Sequence, residues 1–308
     1  MSKKALVLLN MGAARSKDEL EVFLTNMFND KNIVTFENDT IRSMLASLIV
    51  TLRLNKVWDN YDKIGGKSPL HELTDLLIAK LNEMLPEYFI TTAMRYTSPF
   101  AQTAIARIQK ENIKDVILLP LYPQYSTTTT KSSVEDFIEK SNGELNITTI
   151  EPFYKNELYN KAICDQIINV QSKYNDFHLI FSAHGIPRKI VDKGDPYQKH
   201  VEEHVELLKE KLSHYATNIK SINLAYQSKV GPMKWLTPSL DNMLKNFKNE
   251  KVIIYPISFI VDNSETVFEL DVEYRALAEK LQIKEYKVCS CVNDNDTFIK
   301  AIKEIISL

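Results

Sequence analysis

Glycine is scarce in this chain, with seven in 308 residues. Neither GxGxxG nor GxxxxGK[ST] occurs, which removes the common dinucleotide and P-loop classes. A GxSxG nucleophile elbow is also missing, so an α/β-hydrolase is excluded. Cysteine is limited to Cys164, Cys289 and Cys291. Three thiols make no disulfide framework, and a four-thiolate iron–sulfur cluster cannot be assembled within one chain. A reducing, cytoplasmic compartment is the expectation. No apolar run approaches the ~18 residues of a membrane span. The run that follows Lys3 and Lys4 is too short for a signal peptide and reads as a first strand. Charge is nearly balanced, at 38 basic against 40 acidic residues. With no block of like charge, nucleic acid is not an expected partner.

What is present is a series of eight short apolar runs with the continuous pattern of strands buried on both faces. They lie near Ala5–Asn10, Phe89–Arg95, Val116–Tyr122, Ile147–Pro152, His178–Ala183, Ile222–Tyr226, Val252–Phe259 and Lys284–Cys289. Helical patterns separate most of them, at Lys17–Phe28, His71–Leu85, Phe100–Lys110, Leu158–Lys173, Tyr197–Leu212 and Thr237–Phe247. This alternation predicts a doubly wound α/β fold. The strands divide four and four, giving an N-terminal half over 1–150 and a C-terminal half over 151–291. The last helix, within 292–308, is expected to pack back on the first half. Residues 41–64 are apolar, basic and aromatic with no strand at their centre. They read as one or two amphipathic helices: extra core, an apolar lip for a flat ligand, or a membrane-surface contact.

Doubly wound sheets bind ligands beyond the carboxyl ends of their strands. The residues there are Asn10-Met11-Gly12, Met94-Arg95-Tyr96, Tyr122 to Ser126, Ser182 to Gly185, Tyr226 to Pro232 and Asp262 to Glu265. His184 closes a fully apolar strand. Glu265 and Glu269 stand one turn apart on a helix pattern that follows another strand, and Glu273 continues that face. Acidic residues in a first turn often do no more than favour the helix dipole. An imidazole and a carboxylate together can bind a divalent first-row metal or accept protons near neutrality. His200 and His204, four apart among Lys199, Glu202, Glu203 and Glu206, read instead as a solvated helix face.

These strand-end motifs resemble the ferrochelatase family along nearly the whole chain. The similarity is carried by LLNMG near the start, IGGKSPL at 64–70, MRY at 94–96 and LPLYPQYSTTTT at 119–130. It continues through SAHGIP at 182–187, KGDPYQ at 193–198, LAYQSKVGPMKWLTP at 224–238, SETVFELDVEY at 264–274 and CVNDNDTFIKAI at 291–302. The resemblance implies two Rossmann-like halves with a porphyrin cleft between them. It also implies insertion of ferrous iron into protoporphyrin, the step that ends haem synthesis. By the same resemblance His184 and Glu265 are the catalytic pair and the metal ligands, and Glu269 lies on an acidic proton or metal path.

Bending the macrocycle exposes its nitrogen lone pairs, so a cleft that holds a distorted ring lowers the barrier. The candidate porphyrin contacts are Met11, Arg95, Tyr96, Tyr125 and Ser126, with Arg95 suited to a propionate or to a structural ion pair. Ferrous iron is a substrate, no cofactor is bound permanently, and no iron–sulfur cluster or transmembrane segment is expected. Peripheral contact with the inner membrane is open through residues 41–64. One departure bears on mechanism: many family members have histidine two residues before the glutamate, where this chain has Asn263, which cannot take a proton near neutrality. Two alternatives stand beside the enzyme. One is a porphyrin or haem carrier without insertion activity, and the other is a chelatase for another metal or tetrapyrrole.

Overall fold

The computed structural model describes residues 3–35, 38–171, 176–215, 218–229, 231 and 233–307. Lys173 at the end of an expected helix, Val230 and Pro232 after the sixth strand, and Leu308 lie outside these residues. All eight expected strands form: β1 Lys4–Asn10, β2 Tyr88–Met94, β3 Asp115–Pro120, β4 Asn146–Thr149, β5 Phe177–His184, β6 Ile219–Gln227, β7 Lys251–Pro256 and β8 Glu285–Val288. They make two parallel four-stranded sheets, ordered β2-β1-β3-β4 and β6-β5-β7-β8. The chain groups into two compact units. One holds residues 1–122, 126–151 and 303–308, and the other holds 123–125 and 152–302. The last helix, Asp296–Ile305, is therefore shared between the groupings.

Each unit has its own core. In the first, Val7, Leu9, Val116 and Leu118 of the sheet pack with Ile105, Ile108 and Phe137 of the helices. In the second, Ile180, Val252 and Ile254 pack with Leu240, Leu244, Leu270 and Tyr286. β3 and β7 both end on proline, Pro120 and Pro256. Proline offers no N–H to a ladder, so it closes a strand naturally.

Residues 41–64 form most of one long helix. The helix α1, Lys17–Asn29, is followed by α2, Asp39–Asp62. Asn38 starts α2 by accepting the N–H groups of Thr40 and Ile41. Val50, Leu54, Val57, Trp58 and Tyr61 pack α2 against Leu20, Phe23 and Leu24 of α1. Ile41, Met44, Leu48 and Leu52, each more than half exposed, lie on another face.

Two helical expectations change. The helix expected over Thr237–Phe247 shrinks to Leu240–Leu244. Thr237 precedes Pro238, and the residue before proline is pushed out of the helical region. The segment Glu265–Glu273 is a π-helix, continued as an α-helix over Tyr274–Lys280. Tyr274 N–H bonds to Glu269 O, an i→i+5 closure. The wider turn keeps Glu265 and Glu269 together but rotates Glu273 to solvent, so the expected third acid on that face is not there. Thr127–Lys131, beyond β3, is also a π-helix; such turns concentrate at functional sites.

Candidate active site

Strand order reverses between β5 and β7, because β6 lies on one side of β5 and β7 on the other. That switch point is where an open α/β sheet places its ligand site. His184 ends β5, and the chain leaving β7 supplies Ser258, Asn263 and Glu265. His184 Nδ1 lies 2.7 Å from Glu265 Oε2. Both side chains keep about a third of their surface, 38% and 35%. With the Nδ1 proton given to Glu265, the Nε2 lone pair is free, and no described residue engages it.

Asn263 has a local task. Its Oδ1 accepts the N–H of Glu265 at 2.8 Å, and its Nδ2 donates to Val261 O at 3.1 Å. Asn263 thus caps the start of the glutamate-bearing helix.

Glu265 and Glu269 meet through Ser228. The Ser228 hydroxyl lies 3.2 Å from Glu265 Oε2 and 2.5 Å from Glu269 Oε2. Ser228 N–H donates to Glu269 Oε1 at 2.7 Å, and Gln227 Nε2 donates to Glu269 Oε2 at 3.2 Å. Gln227 is itself held by Ser182, whose hydroxyl donates to Gln227 Oε1. Ser228 has φ +65°, the left-handed region. A non-glycine residue there costs about 1–2 kcal/mol; hydrogen bonds to a charged carboxylate contribute about 1.5–3 kcal/mol each and hold it.

Protonation follows from this geometry. Burial disfavours the imidazolium of His184, but the charge of Glu265, the hydrogen bond to it and the charge of Glu269 outweigh burial and raise its pKa above the usual 6.5. Burial alone would raise Glu265. The charge of His184, the bond to it and the bond from Ser228 win, and the pKa falls below the usual carboxylate value. Glu269 goes the other way, as burial and the neighbouring Glu265 charge push it up to about 7. One carboxylate is thus held ionised against the imidazole while the next is poised to share a proton near neutrality.

The candidate porphyrin contacts separate. Met11 and Tyr125 keep part of their surface. Tyr96 is fully buried, its hydroxyl donating to Asp30 at 2.9 Å and its ring edge-on to Phe23. Ser126 is buried and caps the π-helix through Thr128 N–H. Neither offers a ring face or a hydroxyl to a ligand in this arrangement; they serve the framework. Arg95 makes the structural ion pair, with Asp30 at 2.9 Å and Asp136 at 3.5 Å, and donates to Ser132 at 2.9 Å.

His204 differs from expectation, because it is fully buried. Gln124 Nε2 donates to its Nδ1, and its Nε2–H donates to Asn160 Oδ1, both at 2.8 Å. Burial lowers its pKa to about 3, so the ring is neutral. His200 accepts the N–H of Tyr125. Among the described residues no group of three or more His, Cys, Asp or Glu side chains is arranged to enclose a metal.

Gln227 and Ser228 hydrogen-bond the glutamates, contacts that spacing alone did not assign, although both lie in the quoted 224–238 motif. Comparison with known proteins supplies the family. Residues 3–308 match the family model described as Ferrochelatase. A ferrochelatase from Sulfurimonas denitrificans is 48% identical over 99% of this chain and 98% of its own length. One from Helicobacter pylori is 44% identical over 99% of this chain and 92% of its own. The solved structure of SirB from Bacillus subtilis with Fe3+ superposes with a TM-score of 0.60 at 12% identity, covering 99% of this chain and 94% of that one. CbiX, described as the terminal enzyme of sirohaem biosynthesis in denitrifying bacteria, gives 0.56 at 9%, covering 98% of both chains. Those two likenesses show the fold, and the full-length matches at 44 to 48% identity place this chain in the ferrochelatase family, whose members insert ferrous iron into a porphyrin.

Proposed function

We propose that this chain inserts ferrous iron into protoporphyrin with His184 as the proton acceptor, Glu265 as its partner and Glu269 as the next proton carrier. The observation that supports this most directly is the 2.7 Å pair of His184 Nδ1 and Glu265 Oε2 at the switch point of the second sheet. A porphyrin releases two N–H protons as the metal enters. In its neutral form His184 takes one at Nε2, and the Glu265 carboxylate stabilises the imidazolium that forms. Glu269 is linked to Glu265 by the Ser228 hydroxyl. With a pKa near 7 it can accept and release protons at working pH.

The same two groups suit iron. Adjacent ligands of an octahedral ion at about 2.1 Å lie about 3 Å apart, close to the 2.7 Å between Nδ1 and Oε2. For Nδ1 to hold iron beside Oε2 its proton would first have to leave, to Nε2 or to solvent, so iron binding by the pair and proton acceptance at Nε2 are alternative states of His184. Met11 and Tyr125 are the candidates for contact with the macrocycle. The exposed apolar stripe of α2, Ile41, Met44, Leu48 and Leu52, is the candidate for peripheral membrane contact; no described helix is long and apolar enough to cross a membrane.

The test is anaerobic mixing of the protein with protoporphyrin and ferrous iron. The Soret band is expected to move from free porphyrin to haem at a rate proportional to enzyme. A shift that reports porphyrin binding, with no haem formed, is the result of a carrier and contradicts the proposal.

A further inference from the structure

The KGDPYQ motif at 193–198 has no part in the chemistry described above, yet it delivers a side chain to the backbone of His184. β5 pairs with β7 only as far as Ser182 opposite Pro256, and Ile257 N–H then bonds to Ser182 O. Beyond that point β7 has ended, and the N–H and C=O of His184 find side chains instead. His184 N–H donates to Ser258 Oγ at 3.2 Å. The Tyr197 hydroxyl donates to His184 O at 2.8 Å. Ser258 Oγ and Tyr197 Oη lie 2.7 Å apart. When Ser258 donates to Tyr197 the three bonds close a ring, from His184 N–H through the serine and the tyrosine back to His184 C=O. Every donor in it has one acceptor.

The motif explains how the tyrosine arrives there. Gly194 turns at φ +98°, and Asp195 Oδ1 accepts Tyr197 N–H at 2.9 Å. Pro196 precedes the helix Tyr197–Ser213, where its missing N–H costs nothing. Tyr197 is buried. Burial pushes its phenol well above the ordinary value, so it stays a neutral donor. On the other side of β5, Gly185 N–H bonds to Gln227 O at 2.8 Å, which ties the strand end to the residue next to Ser228.

We infer that Tyr197 and Ser258 are positioning residues that lock the end of β5 and hold the His184 ring with Nδ1 on Glu265 and Nε2 toward substrate. This rests on the reading of His184 as proton acceptor. A ring nitrogen swings by about an ångström when its backbone shifts slightly, and misplacement of that size can cost about 100-fold in rate. Partners that orient a histidine are worth about 10- to 100-fold.

The experiment is anaerobic iron insertion by Tyr197→Phe, Ser258→Ala, Ser258→Thr and the Tyr197→Phe/Ser258→Ala double variant, with His184→Ala as reference and thermal melts to score folding. Tyr197→Phe and Ser258→Ala are each expected to lower kcat roughly 10-fold or more, with KM for protoporphyrin within about twofold. The double variant should be no worse than the poorer single, since either change opens the same ring. Ser258→Thr keeps Oγ and should recover most of the loss. Wild-type kcat in Ser258→Ala beside an inactive His184→Ala overturns the positioning role, as does a loss confined to KM or a Ser258→Thr no better than alanine. If Tyr197→Phe fails to fold, the two Ser258 variants decide. Wild-type turnover by His184→Ala instead sinks the proton-acceptor reading, a distinct failure.

Discussion

His184 stands between opposed influences, and which one wins can be measured. Burial pulls its pKa down, while the Glu265 and Glu269 charges and the Glu265 hydrogen bond pull it up and prevail. Removing the Glu265 charge in Glu265→Gln leaves burial as the main effect. The imidazole should then titrate below 6.5 by NMR, against above 6.5 in the parent; an unchanged titration would show that Glu265 does not set it. The same variant is expected to lose nearly as much insertion activity as His184→Ala. If it keeps most of its turnover, the carboxylate serves the helix alone. Gly185 offers a steric test. A Cβ built there would stand 2.7 Å from Gln227 O, a backbone atom that cannot yield without moving β6. Gly185→Ala should therefore displace Gln227 and Ser228 and reduce kcat, and a variant with parental kcat would contradict the coupling of these strand ends.

At the scale of the element, strands were the most readable feature. Runs such as Leu6–Leu9 and Val252–Tyr255 are buried residue after residue, as parallel strands require. The π-helix was hidden, because ETVFELDVE carries the spacing of an ordinary helix. Its extra residue per turn comes from the local hydrogen bonding, with Asn263 capping the first residue. Loss of a cap costs about 0.5–2 kcal/mol. Asn263→Ala should lower stability by that much in urea unfolding, while Asn263→Asp, which keeps the acceptor, should restore it. Equal stability of the three proteins would remove the cap from the account. α2 makes a second claim at this scale. Ile41, Met44, Leu48 and Leu52 follow i, i+3, i+7, i+11, one face of a helix. In co-sedimentation with anionic phospholipid vesicles, Leu48→Glu/Leu52→Glu should pellet less than the parent, and equal pelleting would assign the stripe elsewhere.

At the scale of the whole molecule, two sheets share one strand order, and the His184, Glu265 and Glu269 group gathers at the carboxyl ends of the second. Motif order in the sequence located that site: His184, Glu265 and Glu269 do cluster. It could not locate Tyr197, 13 residues past His184 in sequence and one hydroxyl away in space. Nor could it show that His204, flanked by charged residues, is buried and neutral. That burial predicts pH dependence. With a folded pKa of about 3 against the usual 6.5, the unfolded chain takes up the proton first as pH falls. Stability is retained above 6.5 and lost toward 3, with a slope of up to about 1.4 kcal/mol per unit. Urea unfolding between pH 6 and pH 4 should show a shallower decline in His204→Gln than in the parent, and identical slopes would contradict the buried neutral ring.

The central claim is that one imidazole, paired with one carboxylate, takes the proton that iron displaces. The most direct measurement is His184→Ala assayed side by side for protoporphyrin affinity and for anaerobic haem formation. The account predicts porphyrin binding within a few-fold of the parent and haem formation abolished. Haem formation at the parental rate would contradict it.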